Sequence, residues 1–281
     1  MKIGSWKISA LETGRFALDG GAMFGIVPKP LWNRTNPADE QNRIELALRV
    51  LLLRSEKRVV LVDTGIGNKL SDKEQQIYRV DHSRWTLEGS LATHGFAPSD
   101  VTDVILTHLH FDHAGGATTI RDGELVPTFP EATYHIQEKN LEWGSSPTLR
   151  DRGSYMEQDF KPLVDAGCLR TTDGPRELFE GIHLDVKNGH TMGQQMVRVT
   201  DGKSTLFFCA DLFPTASHIP LPYIMGYDLQ PLVTLAEKGT LLPRALEEGW
   251  ILFFEHDPGT EAVRVAEGKR GIVAGENVEI G

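Results

Sequence analysis

Apolar and polar residues near the start of the chain follow the patterns of β-strands rather than those of helices. Residues 2–11 alternate apolar with polar side chains, whereas residues 44–53 and 58–62 form largely apolar runs. The last run ends at a polar, glycine-containing stop at 63–65. These segments predict three strands.

A helix and a buried strand are predicted next along the chain. Residues 84–94 carry apolar side chains at helical spacing and end before Gly95, a residue type common at helix C-termini. The apolar run 101–106 predicts a buried strand, which leads directly into the polar segment 107–116. Ligand sites of layered α/β folds form at such strand ends, so this segment is a candidate functional site.

The second half of the chain predicts further strands around a helical region. Residues 140–161 have the weak pattern of an insertion with helical pieces, and residues 229–248 predict one or two helices interrupted at Gly239 and Pro243. Short apolar runs predict five strands, of which we expect the last to be the final strand of the fold: 133–136, 182–186, 195–199, 205–209 and 250–254.

Composition places the chain among ordinary folded proteins and excludes several functions. It has 281 residues, 40% apolar and 24% charged, without repeats or a linker, which favours a single domain over residues 1–281. The net charge of −10 disfavours a nucleic-acid partner. No signal-peptide core or membrane span is visible, so we expect a soluble, cytoplasmic protein whose two cysteines, Cys168 and Cys209, are reduced.

The segment after the strand at 101–106 has the composition of a metal site. His108, His110, Asp112 and His113 form the pattern H-x-H-x-D-H. Imidazole and carboxylate groups are preferred ligands of divalent transition metals where thiolates are absent. In an extended chain His108 and His110 point the same way, whereas Asp112 and His113 follow in a turn and can face a second ion.

Three downstream residues are candidates to complete this site. His190 lies in a polar, glycine-flanked turn between two predicted strands. Asp211 and His256 each follow an apolar run, and a carboxylate in such a place needs a strong partner to offset its desolvation. A position between two cations would supply one. Taken singly, each residue could equally cap a strand end, but together with H-x-H-x-D-H they favour metal binding.

This order of motifs resembles the metallo-β-lactamase-fold hydrolase superfamily. The segment Leu-Val-Asp-Thr-Gly at 61–65 is similar to the first motif of that superfamily, whose aspartate supports the metal loops. A narrower resemblance to the YtnP-like quorum-quenching lactonases, relatives of the N-acyl homoserine lactonases, is carried by three segments: 19–32, 107–114 and 253–257.

The resemblance implies the fold and the ligand set. The implied fold is α+β, an αββα four-layer sandwich of two mixed β-sheets with helices outside. The implied cofactors are two divalent ions, zinc in the first instance, with iron, cobalt or manganese as alternatives. The first ion would be held by His108, His110 and His190, the second by Asp112, His113 and His256, with Asp211 and a hydroxide bridging them.

Such a centre predicts ester hydrolysis. Two divalent ions, two carboxylates and a hydroxide leave one positive charge in the inner shell, which stabilises the oxyanion of a tetrahedral intermediate. We expect the bridging hydroxide to attack the carbonyl of a lactone, either an acyl-homoserine lactone or a related ring. Asp112, the carboxylate on the open side, is the candidate that passes a proton to the leaving group.

The substrate pocket is less defined by the sequence. The glycines and prolines of residues 19–32 predict a loop. Its Met23, Phe24 and Trp32 could line an acyl groove, pack in the core or form the contact of a homodimer. Many acyl-homoserine lactonases carry a tyrosine three places after the bridging aspartate that contacts the lactone carbonyl. That place is Pro214 here, with His218 and Tyr223 as candidate substitutes, and both could equally be structural.

Other functions remain open on the same sequence. An aryl-ester or organophosphate triester hydrolase could use the same two-metal centre with a wide, aromatic pocket. The acidic net charge disfavours a nuclease of this fold. A β-lactamase is also disfavoured, because the chain is acidic and no leader is apparent in it. A redox protein that uses iron is disfavoured because this chain has no cluster of cysteine ligands.

Overall fold

Two mixed β-sheets form the centre of the fold in the computed structural model, which describes residues 1–281. The strands of the first half of the chain are β1 (Lys2–Ile3), β2 (Trp6–Asp19), β3 (Arg43–Arg54), β4 (Val59–Val62), β5 (Asp103–Ile105), β6 (Thr118–Arg121), β7 (Glu124–Pro127), β8 (Thr133–Gln137) and β9 (Leu169–Thr172). Those of the second half are β10 (Arg176–Phe179), β11 (Ile182–Lys187), β12 (Gln194–Thr200), β13 (Thr205–Phe208), β14 (Ile251–Phe253), β15 (Ala262–Gly268) and β16 (Gly271–Val278).

Eight α-helices connect these strands. They are α1 (Gly20–Phe24), α2 (Lys29–Trp32), α3 (Asp72–Tyr78), α4 (Leu87–Thr93), α5 (Phe111–Ala114), α6 (Glu138–Ser145), α7 (Glu157–Asp165) and α8 (Pro231–Glu247). None of them combines the length and hydrophobicity that crossing a membrane requires.

Each large sheet has seven strands, and each half of the chain builds one of them. The first sheet has the order β1-β2-β3-β4-β5-β8-β9, antiparallel as far as β4 and parallel from β4 onward. The second has the order β10-β11-β12-β13-β14-β15-β16, in which only β13 and β14 are parallel. The hairpin of β6 and β7 stands apart from both.

The strand periodicity of two residues explains how the sheets face each other. In β4, Val60 and Val62 lie in the core between the sheets, while Leu61 packs on the outer face of the first sheet. In β13, Phe208 lies in the same central core and Phe207 packs on the outer face of the second sheet. Both faces of these strands are covered, which explains why their sequences are continuous apolar runs.

Helices cover the two outer faces. Leu91 of α4 and Leu163 of α7 pack against the first sheet. Leu241, Leu242 and Ala245 of α8 pack against the second. The result is an αββα sandwich, which confirms the predicted α+β fold.

Two parts of the fold differ from the sequence-based expectation. The segment 19–32, predicted as a loop, contains α1 and α2, and the side chain of Asp19 caps α1 by accepting a hydrogen bond from Ala22 N (2.8 Å). Two strands, β15 and β16, follow the segment predicted to be the final strand. Both carry many polar or small residues because they lie toward the sheet edge, where the burial that marks a strand in sequence is weaker.

Helix α8 is a single helix although the sequence favoured an interruption. Pro243 lies inside it and cannot donate a backbone hydrogen bond. Leu241, Leu242 and Ala245 are buried against the second sheet on either side of this proline. Their packing offsets the missing bond.

The parallel strands place the polar motifs at one edge of the sandwich. Asp63 directly follows β4, and the segment 107–113 follows β5 shortly after. Asp211 follows β13 and His256 follows β14 in the same way. Because β4 pairs in parallel with β5, and β13 with β14, the C-terminal ends of all four strands meet at the same edge.

Candidate metal centre

Three histidine nitrogens and a carboxylate oxygen meet in the first of two groups. His108 Nε2 lies 3.0 Å from His110 Nδ1, and His190 Nε2 lies 3.1 Å from the same atom. Asp211 Oδ2 lies 3.2 Å from His190 Nε2. All four side chains are buried, and their donor atoms lie within 4.8 Å of one another.

A second group of donors lies beside the first. His113 Nε2 and His256 Nε2 are 3.1 Å apart. Asp112 Oδ2 lies 3.6 Å from His256 Nε2 and 3.9 Å from His113 Nε2. These three side chains are also buried and close enough to hold one ion.

Asp211 stands between the two groups. Its Oδ2 faces His190, whereas its Oδ1 lies 3.4 Å from His113 Nε2 and 3.3 Å from His256 Nε2. One carboxylate therefore presents one oxygen to each group. The structure thus brings together all seven residues that the sequence singled out as ligands: His108, His110, Asp112, His113, His190, Asp211 and His256.

The hydrogen-bond partners of the rings indicate that these nitrogens are free to bind cations. His256 Nδ1 faces the carbonyl of Ala47 (2.9 Å), so in the neutral ring this nitrogen carries the proton and Nε2 carries the lone pair. His113 Nδ1 faces the carboxylates of Asp63 (3.0 Å) and Glu255 (2.9 Å) in the same way. Two lone pairs then face each other at 3.1 Å, an arrangement that a cation between them stabilises.

The first group has the same arrangement. His190 Nδ1 donates to Asp228 Oδ1 (2.9 Å), and His108 Nδ1 lies 3.0 Å from Thr107 Oγ1. In the neutral rings their Nε2 atoms then carry the lone pair, and both face His110 Nδ1. The residues present fit divalent metal ions bound through nitrogen and oxygen.

Burial and charge shift the pKa values of these histidines in opposite directions when no cation is bound. Burial, together with neighbouring histidines, holds the pKa of His108 and of His110 well below the usual value. Burial also opposes protonation of His256, but the carboxylate of Asp211 raises its pKa to about 9. Because metal ligands must be unprotonated, metal binding at the second group displaces protons.

A cavity of about 240 Å³ opens onto this centre. Five of the ligands line it: His110, Asp112, His190, Asp211 and His256. Its remaining walls are mostly apolar or aromatic, formed by Leu18, Met23, Leu46, Tyr78, Phe111, Met225 and Tyr227. The polar lining comes from Arg150, Gly153 and Ser154. This combination suits a small molecule with an apolar part and a reacting polar group.

The residues predicted to contact substrate occupy different places. Met23 lines the cavity. Phe24 lies behind it and stacks on Trp32 (ring centroids 5.3 Å apart) and on His218 (4.5 Å). His218 Nε2 faces the carbonyl of Met23 (2.8 Å), and Tyr223 packs at the edge of Phe24 (6.1 Å). These four residues support the cavity wall through Met23 rather than lining the cavity.

Several residues of the site were not found by sequence reasoning. Asp228 orients His190, Glu255 lies against His113, and Tyr78, Arg150 and Tyr227 line the cavity. Asp228 and Glu255 are fully or nearly fully buried carboxylates, but neither lies in a spacing pattern that predicts metal support. Only the apolar run before Glu255 and its position next to His256 offered a signal.

The fold and the two buried donor groups define an αββα protein with a site for divalent metal ions at one edge of its sheets. The sequence profile of the metallo-beta-lactamase superfamily matches residues 48–256, and the chain therefore belongs to that superfamily.

Relatives in sequence have related descriptions. A probable metallo-hydrolase of Mycobacterium tuberculosis is 28% identical over 186 residues, which cover 60% of this chain and 58% of that protein. The chain thus spans little more than half the length of that relative. An N-acyl homoserine lactonase of Bacillus thuringiensis is 25% identical over 228 residues, 76% of this chain and 82% of that enzyme.

Solved structures confirm the fold over the full chain. A probable metal-dependent hydrolase from Staphylococcus aureus superposes with a TM-score of 0.90 at 29% identity and covers 99% of both chains. AidC, a dizinc quorum-quenching lactonase in complex with a product, superposes with a TM-score of 0.82 at 19% identity, over 99% of this chain and 96% of AidC.

Proposed function

We propose that this protein is a dinuclear metal-dependent hydrolase that opens lactone rings, with N-acyl homoserine lactones as the first candidate substrates. The observation that carries the proposal is the position of Asp211, which presents one oxygen to each of two buried groups of donors. Both groups border a cavity with mostly apolar walls. The similarity to the Bacillus lactonase supports the lactone substrate.

The chain's own residues would hold two divalent ions, zinc in the first instance. The first ion would bind His108, His110 and His190, and the second would bind Asp112, His113 and His256, with Asp211 shared. Such ions supply Lewis acidity toward a carbonyl and make hydroxide available near neutral pH. Asp63, Glu255 and Asp228 hold the rings of His113 and His190 in the orientation that this requires.

Asp112 would handle the proton of the leaving group. It lines the cavity and lies at the outer side of the second group, 3.6 Å from His256. Ring opening breaks the bond between the acyl carbon and the ring oxygen, which leaves as an alkoxide and must gain a proton. The Asp112 carboxylate at this wall of the cavity can take the proton that the newly formed carboxylic acid releases and pass it to the alkoxide oxygen.

The apolar walls of the cavity could bind the acyl substituent of a lactone. Leu18, Met23, Leu46 and Met225 would contact an acyl chain while the ring lies over the metal centre. Phe24, Trp32 and His218 would act indirectly, because they fix the position of Met23.

An aryl ester or an organophosphate triester is the second candidate substrate. Three aromatic side chains line the cavity, namely Tyr78, Phe111 and Tyr227, and they could stack on an aryl leaving group. The two candidates differ in the reacting group, so the ratio of lactone to aryl triester turnover separates them.

The test is lactone hydrolysis followed by pH-stat on protein whose zinc, iron, cobalt and manganese have been counted. We expect about two metal ions per chain and turnover that a chelator abolishes and added metal restores. Two ions without lactone turnover would move the proposal to aryl esters or triesters. Fewer than two ions in reconstituted protein would overturn the ligand assignment itself.

Homodimer formation, a single domain over residues 1–281 and a cytoplasmic location stay predictions. Size-exclusion chromatography with light scattering tests the first of them.

A further inference from the structure

Few side chains of the cavity other than the ligands can donate a hydrogen bond to a substrate. They are Tyr78, Arg150, Ser154 and Tyr227. The guanidinium of Arg150 already donates to the carbonyl of Gly226 (2.6 Å). The hydroxyl groups of the other three make no hydrogen bond within the protein, so a ligand can satisfy them.

The backbone on both sides of Tyr227 is fixed. Gly226 N donates to the carbonyl of Ala22 (2.8 Å), and its own carbonyl accepts the bond from Arg150. On the other side, Asp228 accepts a hydrogen bond from His190 Nδ1 (2.9 Å). The backbone N–H of residue 229 then donates to the carbonyl of His190 (3.0 Å). Tyr227 is therefore held at a fixed place relative to a metal ligand.

The surroundings of Tyr227 keep its hydroxyl protonated. Burial raises the pKa of this group, and the nearby negative charges of Asp19 and Asp112 raise it further. The hydroxyl is therefore a hydrogen-bond donor throughout the neutral pH range. Tyr78 has a raised pKa for the same reasons, but it ends helix α3 and no neighbour of it in sequence bonds to a ligand.

The loop after Asp211 offers no donor of this kind. Pro214 has no side-chain donor, and its carbonyl accepts a hydrogen bond from the backbone of His256 (3.2 Å). His218 and Tyr223, the substitutes that the sequence suggested, do not line the cavity. A side-chain donor to the reacting group would have to come from the other residues that line the cavity.

We propose that Tyr227 donates a hydrogen bond to the carbonyl oxygen of the ester substrate, and that this bond strengthens as the oxygen gains negative charge. The inference rests on the proposed function, because it requires a carbonyl ester. Hydroxide forms the new bond to the acyl carbon, and the bond to the ring oxygen breaks. The alkoxide takes the proton that the new carboxylic acid releases, with Asp112 as the carrier. Tyr227 keeps its own proton throughout.

The test compares the Y227F and Y78F variants with the wild-type protein, each loaded with metal and its metal counted. For Y227F we expect kcat to fall about 100-fold with little change in KM, because the bond is stronger in the transition state than in the bound substrate. The metal content should be unchanged. Y78F, which removes a hydroxyl from the same cavity, should lose much less.

The outcomes separate this inference from the proposed function. If the wild-type protein opens lactones and Y227F does so at the same kcat, the inference is wrong and the function stands. If the wild-type protein hydrolyses only aryl esters and Y227F loses kcat on them, the lactone substrate is wrong and the inference stands. Turnover of phosphotriesters alone, or an equal loss in both variants, would overturn the role of Tyr227.

Discussion

At the scale of single residues, each ligand histidine is oriented through the ring nitrogen that does not face the centre. Thr107 holds His108, Asp228 holds His190, and the carbonyl of Ala47 holds His256. His110 is the exception, because its Nε2 is buried without a partner. In the neutral rings these bonds set which nitrogen is unprotonated. Thr107 is the sequence neighbour of His108, but Asp228 and Ala47 lie far from their histidines in sequence, so no spacing pattern could reveal those two bonds.

The first prediction concerns Asp112. The D112N variant should lose at least about 100-fold in kcat on a lactone, whose alkoxide leaving group needs a proton. On a p-nitrophenyl ester the loss should be much smaller, because that leaving group departs as a stable anion. Steady-state kinetics on both substrates measure the difference.

Metal counting is the control for this variant, since Asp112 is also a predicted ligand. Equal losses on the two substrates, with a metal ion missing, would mean that Asp112 acts as a ligand and not as a proton donor.

At the scale of elements, the approach of two loops positions the second group of ligands. Gly67, in the loop after β4, has a φ of +66°, and a Cβ added there would lie 2.3 Å from the carbonyl of Gly115. Gly115 lies two residues after His113. The two backbones can come this close only because neither residue carries a side chain.

The second prediction follows from this contact. G67A should destabilise the protein by more than G95A, because Gly95 also has a positive φ (+82°) but has open space around it. The cost of the left-handed conformation alone is about 1–2 kcal/mol. Urea unfolding measures both variants, and a G67A variant as stable as G95A would contradict the close approach. Metal counting should also show a loss in G67A only.

Helix α8 is tied to the loop 218–223 by one buried lysine. Lys238 Nζ donates to the carbonyls of His218 (2.6 Å), Pro220 (3.1 Å) and Tyr223 (2.8 Å). The side chain is fully buried, and burial lowers its pKa to about 7. Its interactions link the outer helix to the segment behind Met23, since His218 contacts the Met23 carbonyl.

The third prediction concerns the pH dependence of this link. Between about pH 7 and pH 10.5 this lysine is protonated in the unfolded chain but largely unprotonated in the folded one. Because the unfolded state binds more protons over this range, the free energy of unfolding rises with pH. The free energy of unfolding of the wild-type protein relative to K238M should therefore increase from pH 7 to pH 9.5. Urea titrations at several pH values measure it.

The exposed Lys161, paired with Asp165 on α7, provides the matched control. K161M should show no comparable trend over this pH range. A K238M difference that stays flat with pH would mean that the ammonium remains charged in its cage of three carbonyls.

At the scale of the whole molecule, the metal centre joins the two sheets. His108, His110 and His113 follow a strand of the first sheet, whereas Asp211 and His256 follow strands of the second. The core between the sheets is likewise shared, with Val62 from one side and Phe208 from the other. Metal binding and the folding of both sheets should therefore be coupled.

The fourth prediction follows from this coupling. Removing the metal with a chelator should lower Tm by about 10 °C, because ligands that bind only the folded state stabilise it and the freed side chains are buried close together. A single calorimetric transition is expected with and without metal. Zinc should restore Tm and calcium should not, since calcium prefers oxygen ligands.

Two separate transitions would contradict a single domain over residues 1–281. An unchanged Tm after complete metal removal would contradict the coupling between the metal centre and the sheets.

The sequence by itself determined most of the strands and the residues that meet at the candidate metal centre. Period-two alternation and apolar runs identify β3, β4, β11, β12, β13 and β14 because a strand's two faces have fixed environments. The motif H-x-H-x-D-H and the polar residues that end buried strands identify the candidate ligands, since burying such groups without a cation is costly. The edge strand β16 and its neighbour β15 gave weaker patterns because less of their surface is buried.

Only the tertiary structure decided which residues support and surround the centre. Asp228 reaches His190 across 38 positions, and Tyr227 enters the cavity because Gly226 is held by Ala22 and Arg150. Phe24 and Trp32 were candidates for the substrate wall, but packing places them behind Met23. The local pattern of apolar and polar residues predicts whether a side chain is buried. Whether that side chain also contacts a cavity depends on how distant loops approach one another.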